Sequence, residues 1–144
     1  MLFLCFLFFS ALSVAAADDE LAVRTGVLEV VATGLQNDRG QVLIALSNSK
    51  ENYDSRDEAY RGAEIKIKEG RAVYFFKDLP YGSYAIKLFH DENGNGKLDG
   101  NFLGIPKEDY GFSNNARGRF GPAAYAKARF ELDAKRMRME VKVE

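Results

Sequence analysis

Tryptophan is absent from this chain, proline occurs 3 times, and there is 1 cysteine, Cys5, set inside an apolar run at the N-terminus. The remainder therefore has no disulfide, no thiolate nucleophile and no cysteine metal ligand, and its stability must come from an ordinary core. Histidine is as scarce: His90 is the only one, so any serine–histidine or histidine–metal chemistry would have to use that ring. No excess of either charge is present. Lys and Arg number 20 against 21 Asp and Glu, which argues against a nucleic-acid binder and gives no reason to expect an anchor on acidic membranes.

With 47% hydrophobic and 28% charged residues, the chain has the profile of a folded protein, and 144 residues suit one domain. Residues 1–17 contain no charged side chain, and Leu2 to Val14 is an apolar run of signal-peptide length. Ala15-Ala16-Ala17 follows it and offers a cleavage site before Asp18. The run is short for a spanning helix, which needs about 20 apolar residues. The expectation is a cleaved signal at 1–17, a linker at 18–25 and one domain at 26–144, periplasmic or secreted, with no membrane contact after cleavage. No Lys or Arg precedes the apolar run, so either the true start lies upstream or the α-amino group serves alone. A retained N-terminal anchor is the alternative.

Period-two alternation, the mark of half-buried strands, recurs along the rest. It runs through Val27 to Thr33, Gln41 to Ser47, Ile65 and Ile67, Arg71 to Phe76, Ser83 to His90, Ala128 to Leu132, and Met137 to Val143. Asn37-Asp38-Arg39-Gly40 separates the first two, and Glu69-Gly70 marks an apparent hairpin between the third and fourth. Seven short strands with turn signals between them predict an all-β, immunoglobulin-like or prealbumin-like Greek-key sandwich. Ser55-Arg56-Asp57-Glu58 reads as a capping box, with Gly62 as the stop, so a short helix is expected within residues 48–62. From Asp91 to about Tyr125 the alternation lapses. Loops of that length are uncommon in compact domains, and this one carries Phe102, Leu103, Ile105, Tyr110, Phe112 and Phe120, so it is expected to be ordered.

Its first part is the most informative stretch of the chain. Asp91, Asn93 and Asn95 place side-chain oxygens at alternate positions, and Gly96 supplies a sharp turn. Lys97 could offer its carbonyl, and Asp99 a second carboxylate. A hard cation such as Ca²⁺ takes six to eight such oxygens, and this spacing matches the first half of an EF-hand loop. The second half departs from it: Phe102 stands where the bidentate Glu belongs, and a strand, not a helix, precedes the loop. The set Asp91, Asn93, Asn95, Lys97 and Asp99 is thus a free-standing candidate calcium loop, with affinity expected at roughly 10⁻⁴ to 10⁻³ M. Asn and Gly also build turns with no metal, which is the competing reading.

Beyond the loop, Tyr110, Phe112 and Asn114 are the candidate binding surface, toward an envelope protein, a peptide or a carbohydrate. The alternative is a hydrolase using His90 with carboxylates among Asp91, Asp99 and Glu108; no nucleophile elbow supports it.

The run Asp78-Leu79-Pro80-Tyr81-Gly82-Ser83-Tyr84-Ala85, continuing through His90 to Asp99, Gly104-Ile105-Pro106-Lys107-Glu108, Tyr110 to Asn115 and Phe120-Gly121-Pro122, resembles the bacterial family Domain of Unknown Function 2141. That resemblance implies an exported sandwich and assigns no activity. Leu79-Pro80-Tyr81-Gly82-Ser83-Tyr84 is also similar to a turn of transthyretin-like and carboxypeptidase-regulatory-like domains. The enzymes on related sandwiches do not fit. The hydroxyisourate hydrolases end in a Tyr-Arg-Gly-Ser run where this chain has Met-Glu-Val-Lys-Val-Glu, and the intradiol dioxygenases need two histidines. Mass spectrometry of the exported protein tests the signal reading: a first residue of Asp18 is expected, and an intact N-terminus would make the protein a tethered subunit.

Overall fold

A computed structural model describes residues 22–144; the signal expected at 1–17 and the start of the linker lie outside that range. The strands are β1 (Thr25–Thr33), β2 (Gln41–Ser47), β3 (Arg61–Lys66), β4 (Ala72–Pro80), β5 (Gly82–Asp91), β6 (Tyr110–Phe112), β7 (Phe130–Leu132) and β8 (Arg136–Lys142). Two short helices, α1 (Lys50–Asp54) and α2 (Tyr125–Ala128), and a 3-10 turn at Ser113–Asn115 complete the fold. The expected all-β sandwich is what forms. β4, β1 and β8 make a three-stranded sheet, and β3, β2, β5 and β6 a larger one, with β7 also on β5. In the small sheet β1 lies antiparallel to β4 and parallel to β8.

Alternation decides which residues meet between the sheets. Leu28, Val30, Ala32, Phe76, Met139 and Val141 from the small sheet pack with Val42, Ile44, Leu46, Ile86 and Leu88 from the large one. The two sheets are stitched at one side, where Glu144 N–H donates to the Tyr110 carbonyl at 3.1 Å. Gly111 lies beside that seam, and a Cβ there would come within 2.6 Å of the Lys142 carbonyl oxygen.

A second, smaller core lies apart from the first: Tyr53, Ala85, Phe112, Ala123 and Ala128 pack there, with Tyr110, Ala116 and Tyr125 against them. Consequently β5 is buried on both faces, with Ala85 toward this outer cluster and Ile86 toward the main core. Tyr53 anchors α1 over it through its hydroxyl, which donates to the Ala123 carbonyl at 2.8 Å. Burial, reinforced by Asp54, pushes the Tyr53 phenol up to about 12. Lys87 reaches from β5 to the carbonyls of Tyr53 and Ser55 and lies 5.0 Å from the Tyr53 ring centre. Burial lowers its pKa, partly countered by Asp54.

Three local expectations change. An eighth strand, β6, forms inside the long connection; at three residues it is too short to alternate visibly. The helix in the 48–62 stretch starts six residues earlier than expected, because Ser49 and Asn52, not Ser55 and Glu58, form the capping box. Gly62 accordingly lies in β3. The Glu69-Gly70 turn is real, with both residues at positive φ, but it carries a single bridge, Lys68 to Arg71, before β3 and β4 part into different sheets. Asp38 holds that turn by accepting from Glu69 N–H and Gly70 N–H, at 3.0 and 2.8 Å.

Along one stretch of β5, β6 pairs with Lys87–Phe89 and β7 with Gly82–Tyr84. Between these segments the buried Ser113 hydroxyl accepts from Ile86 N–H at 2.8 Å and donates to the Ala128 carbonyl at 2.5 Å. Ser113→Ala would leave a buried N–H and a buried carbonyl without that partner, a loss of about 1–3 kcal/mol. Urea unfolding should show it as a lower midpoint at unchanged slope, whereas Ser83→Ala, at an exposed pair with Glu131, should change stability by less than about 0.5 kcal/mol.

Candidate functional site: the loop after strand β5

The chain leaves the large sheet at Asp91 and rejoins it at Tyr110, where His90 N–H donates to the Asp109 carbonyl at 2.8 Å and closes the loop. Inside, the loop is built around carboxylates that accept from its own backbone. The Asp91 side chain is buried; its Oδ1 accepts from Asn95 N–H at 3.1 Å and its Oδ2 from Gly96 N–H at 2.9 Å. Gln41, from β2, adds an amide bond to Oδ2 at 3.1 Å. Burial raises the Asp91 pKa, but the bonds from Gln41, Gly96, Asn95 and Gly94 more than offset it, and the carboxyl titrates below its ordinary value. Glu108 joins the loop's two limbs, accepting from Glu92 N–H at 3.1 Å and Asp99 N–H at 2.9 Å.

Approach to this base is tight. A Cβ on Gly40 would lie 1.9 Å from the Asp91 carbonyl oxygen, so only glycine fits, and its φ of 67° favours glycine as well. Arg39, next to it, pairs with Glu92 at 2.6 Å. The Asn37 amide, opposed by desolvation and aided by Arg39, holds Glu92 below its usual range.

Of the five candidate calcium ligands, four come together. The Asn93 and Asn95 side-chain oxygens accept from the backbone two residues on, Asn95 N–H at 3.1 Å and Lys97 N–H at 2.9 Å. Their amide nitrogens therefore turn toward Asp99, at 2.5 Å from Asn93 and 3.0 Å from Asn95. Asp91 faces the backbone of the same loop, and Lys97, expected to contribute only its carbonyl, is tied to the set through its N–H on Asn95. Among the described residues, no three His, Cys, Asp or Glu side chains form a group able to hold a metal. The loop is a closed set of Asx turns.

The candidate surface residues go elsewhere. Phe112 is buried and Tyr110 packs against it with rings 5.8 Å apart. Both line a small cleft with Asn115, Arg117 and Glu144. Asn114 is exposed, yet its amide donates to the carbonyls of Lys127 and Arg129 at 3.1 and 2.9 Å, so it braces α2. His90 is fully buried, its Nε2 2.7 Å from the Arg39 carbonyl and its Nδ1 without a partner. An imidazole so placed cannot reach a substrate in solvent.

What the loop does present is its tip. Lys107 N–H donates to the Asp99 carbonyl at 2.8 Å, Gly100 bridges Pro106, and Asn101 N–H donates to the Ile105 carbonyl at 2.9 Å, a miniature hairpin. At its end Phe102 is 95% exposed and Leu103 69%, with Ile105 and Leu98 also in solvent. Their presence in the sequence predicts an ordered loop and does not by itself place them in solvent. The available signal was Asn101-Phe102-Leu103-Gly104, a turn that leaves its two central side chains no neighbours.

Residues 30–140 match the family model described as an uncharacterized protein conserved in bacteria (DUF2141). The chain belongs to that family. Neither a curated protein nor a solved structure matches it. In this DUF2141 domain the matched span takes in the end of β1, all of β2 to β7, most of β8 and the whole loop.

Asp91→Asn should cost about 1–3 kcal/mol, since an amide cannot accept at both positions that meet backbone N–H groups. The pH dependence follows from the lowered pKa. The stabilisation is complete above the unfolded carboxyl value, about 3.9, and is lost as pH falls through the lower folded value. Acid titration of thermal midpoints should therefore show a shallower fall for Asp91→Asn than for the natural protein.

Proposed function

We propose that this DUF2141 domain is a non-catalytic binding module, periplasmic or secreted, that docks on a component of the bacterial envelope through the hairpin tip at 98–105. The observation that carries this reading is the exposure of Phe102 and Leu103 on a hairpin whose base is tied down by Asp91, Asp99 and Glu108. Large apolar side chains held rigidly in water mark contact surfaces. The burial of His90 weighs against the hydrolase alternative.

Calcium enters this reading as a stiffener of the base. Support comes from the convergence of Asn93 and Asn95 on Asp99 beside the buried Asp91. To ligate, the two asparagines would turn their oxygens inward and give up their Asx bonds, with the Lys97 carbonyl and the carboxylates of Asp91 and Asp99 completing the set.

Fractionation of cells tests the docking. The protein should sediment with envelope fragments, and Phe102→Ser combined with Leu103→Ser should release it while leaving its melting temperature within about 2 °C. Retention of the double variant would reject the tip as the contact. Melting in EDTA and then in millimolar CaCl₂ tests the metal: a rise lost in Asp91→Ala is expected for a clamp, and an unchanged midpoint makes the loop a plain turn without touching the docking reading.

A further inference from the structure

The three-stranded sheet has two edges, and they are finished differently. At β8 the edge is closed near its end by β6, through Glu144 N–H on the Tyr110 carbonyl, and by Asn115, whose side-chain oxygen accepts from Lys142 N–H at 2.9 Å. Beyond β4, no strand pairs among the described residues. The groups on that free edge follow from the bonds of β1. Val27 N–H donates to the Lys135 carbonyl, and the Thr33 carbonyl accepts from Val143 N–H. Odd-numbered residues from Val27 to Thr33 therefore face β8, and the even-numbered ones face β4. Ala72, Tyr74 and Phe76, opposite Ala32, Val30 and Leu28, point back at β1, which leaves Val73 and Phe75 presenting both N–H and carbonyl outward. Both ends of this window are closed. Arg71 is bridged to Lys68, and the Lys77 carbonyl accepts from Arg61 Nη1 at 2.6 Å.

Sheet edges that stay in water are usually blunted by charge, proline or a bulge. β3, the edge of the large sheet on the flank it shares with β4, follows that rule with exposed Glu64 and Lys66. β4 does not. It carries no charge from Ala72 to Phe76, its bulge comes after them, and Val73 is 40% exposed, Tyr74 36% and Phe75 47%. An apolar window with two N–H and two carbonyl groups unpaired is a template for another strand.

The strand that fits is the same window of a second copy. Set antiparallel about a two-fold axis through Tyr74, Val73 of each copy exchanges both bonds with Phe75 of the other, and all the free groups are paired. A longer foreign strand would run on past Arg71 and Lys77, where the edge is already spent. Shape and charge agree with the two-fold. The smaller Val73 meets the larger Phe75, and at each end exposed Glu69 and Arg71 of one copy meet exposed Lys77 and Asp78 of the other, two acids with two bases. We propose that the domain forms a two-fold dimer through β4, joining two three-stranded sheets into one continuous sheet. The dimer draws nothing from the loop tip, so it stands or falls apart from the docking reading.

Sedimentation of the exported protein as recovered from cells, over roughly 1–500 μM, should show its mass rising from one chain toward two. Val73 N–H faces away from β1, so Val73→Pro removes an edge donor and no bond within the sheet. It should weaken the dimer by about tenfold or more. Phe75→Lys, which sets a charge from each copy beside the axis, should leave single chains. Both variants should melt as the natural protein does at concentrations where it is monomeric, and Phe102→Ser with Leu103→Ser should leave the dimer intact. Cross-linking reads the register. In a Cys5→Ser background, which has no other thiol, Tyr74→Cys places two thiols on the axis. Facing Cα atoms of such a pair lie about 4.5 Å apart, within disulfide reach, and a linked dimer should form on oxidation. Lys77→Cys, roughly 20 Å from its counterpart in this register, should not link. A dimer that survives both β4 variants or dissolves with the serine pair overturns the proposal, as does linkage at 77 as fast as at 74. A single-chain mass throughout overturns it too, and gives the edge to a foreign strand or to residues 1–21.

Discussion

Strand β5 sets the terms for the rest of the molecule. Around Ala85 and Ile86 it is buried on both faces, so its backbone there cannot turn to water, and an unpaired N–H would be costly. Part of the need is met by β2, in register from Ala85 to Asp91. The remainder is met piecemeal, by β6, by the hydroxyl of Ser113 and by β7. Much of the long excursion after β5 can be understood from this one requirement: it must leave, return with three residues of strand, insert a serine, and return again. The outer cluster around Tyr53 and Phe112 then covers the face that these returns create.

The same strand ends in the side chain that organises the loop. Asp91 is the last residue of β5, and its carboxylate gathers the backbone of the turn that follows. Sheet and loop are therefore not independent pieces joined by a linker. Gln41, a β2 residue paired with Asp91, donates into the same carboxylate, and Gly40 yields the space this needs. The rigidity of the exposed tip derives, through Glu108 and Asp99, from a ladder in the large sheet.

Much of the fold could be read from the sequence because inward and outward residues alternate through most of β1 and β2 and along β8. β6 could not, since Tyr110-Gly111-Phe112 is too short to show a period and its pairing depends on residues far along the chain. The helix shifted because two serine-led boxes compete in one stretch, and the winner places Tyr53 where it can bury its ring. A turn with hairpin residues at Glu69-Gly70 gave the correct local geometry but not its use, since nothing local says that two strands will part into different layers. At the loop, Asp91, Asn93, Asn95 and Asp99 are tied together by hydrogen bonds within the turn. Which atoms converge is a matter of amide orientation, and that is fixed by backbone donors two residues away. Tyr110 and Phe112 are indistinguishable in composition from Phe102; only the returning strand decides that the former turn inward.

The parallel pairing of β1 with β8 has a kinetic consequence. The first strand lies at the centre of the small sheet, and one of its two neighbours is the last strand of the chain. Contacts between such distant segments require almost the entire polypeptide to be present before the ladder can close, and topologies rich in them fold slowly. A chain emerging N-terminus first cannot complete this sheet until its final residues arrive, so the half-built β1–β4 ribbon must persist for that interval with one edge open.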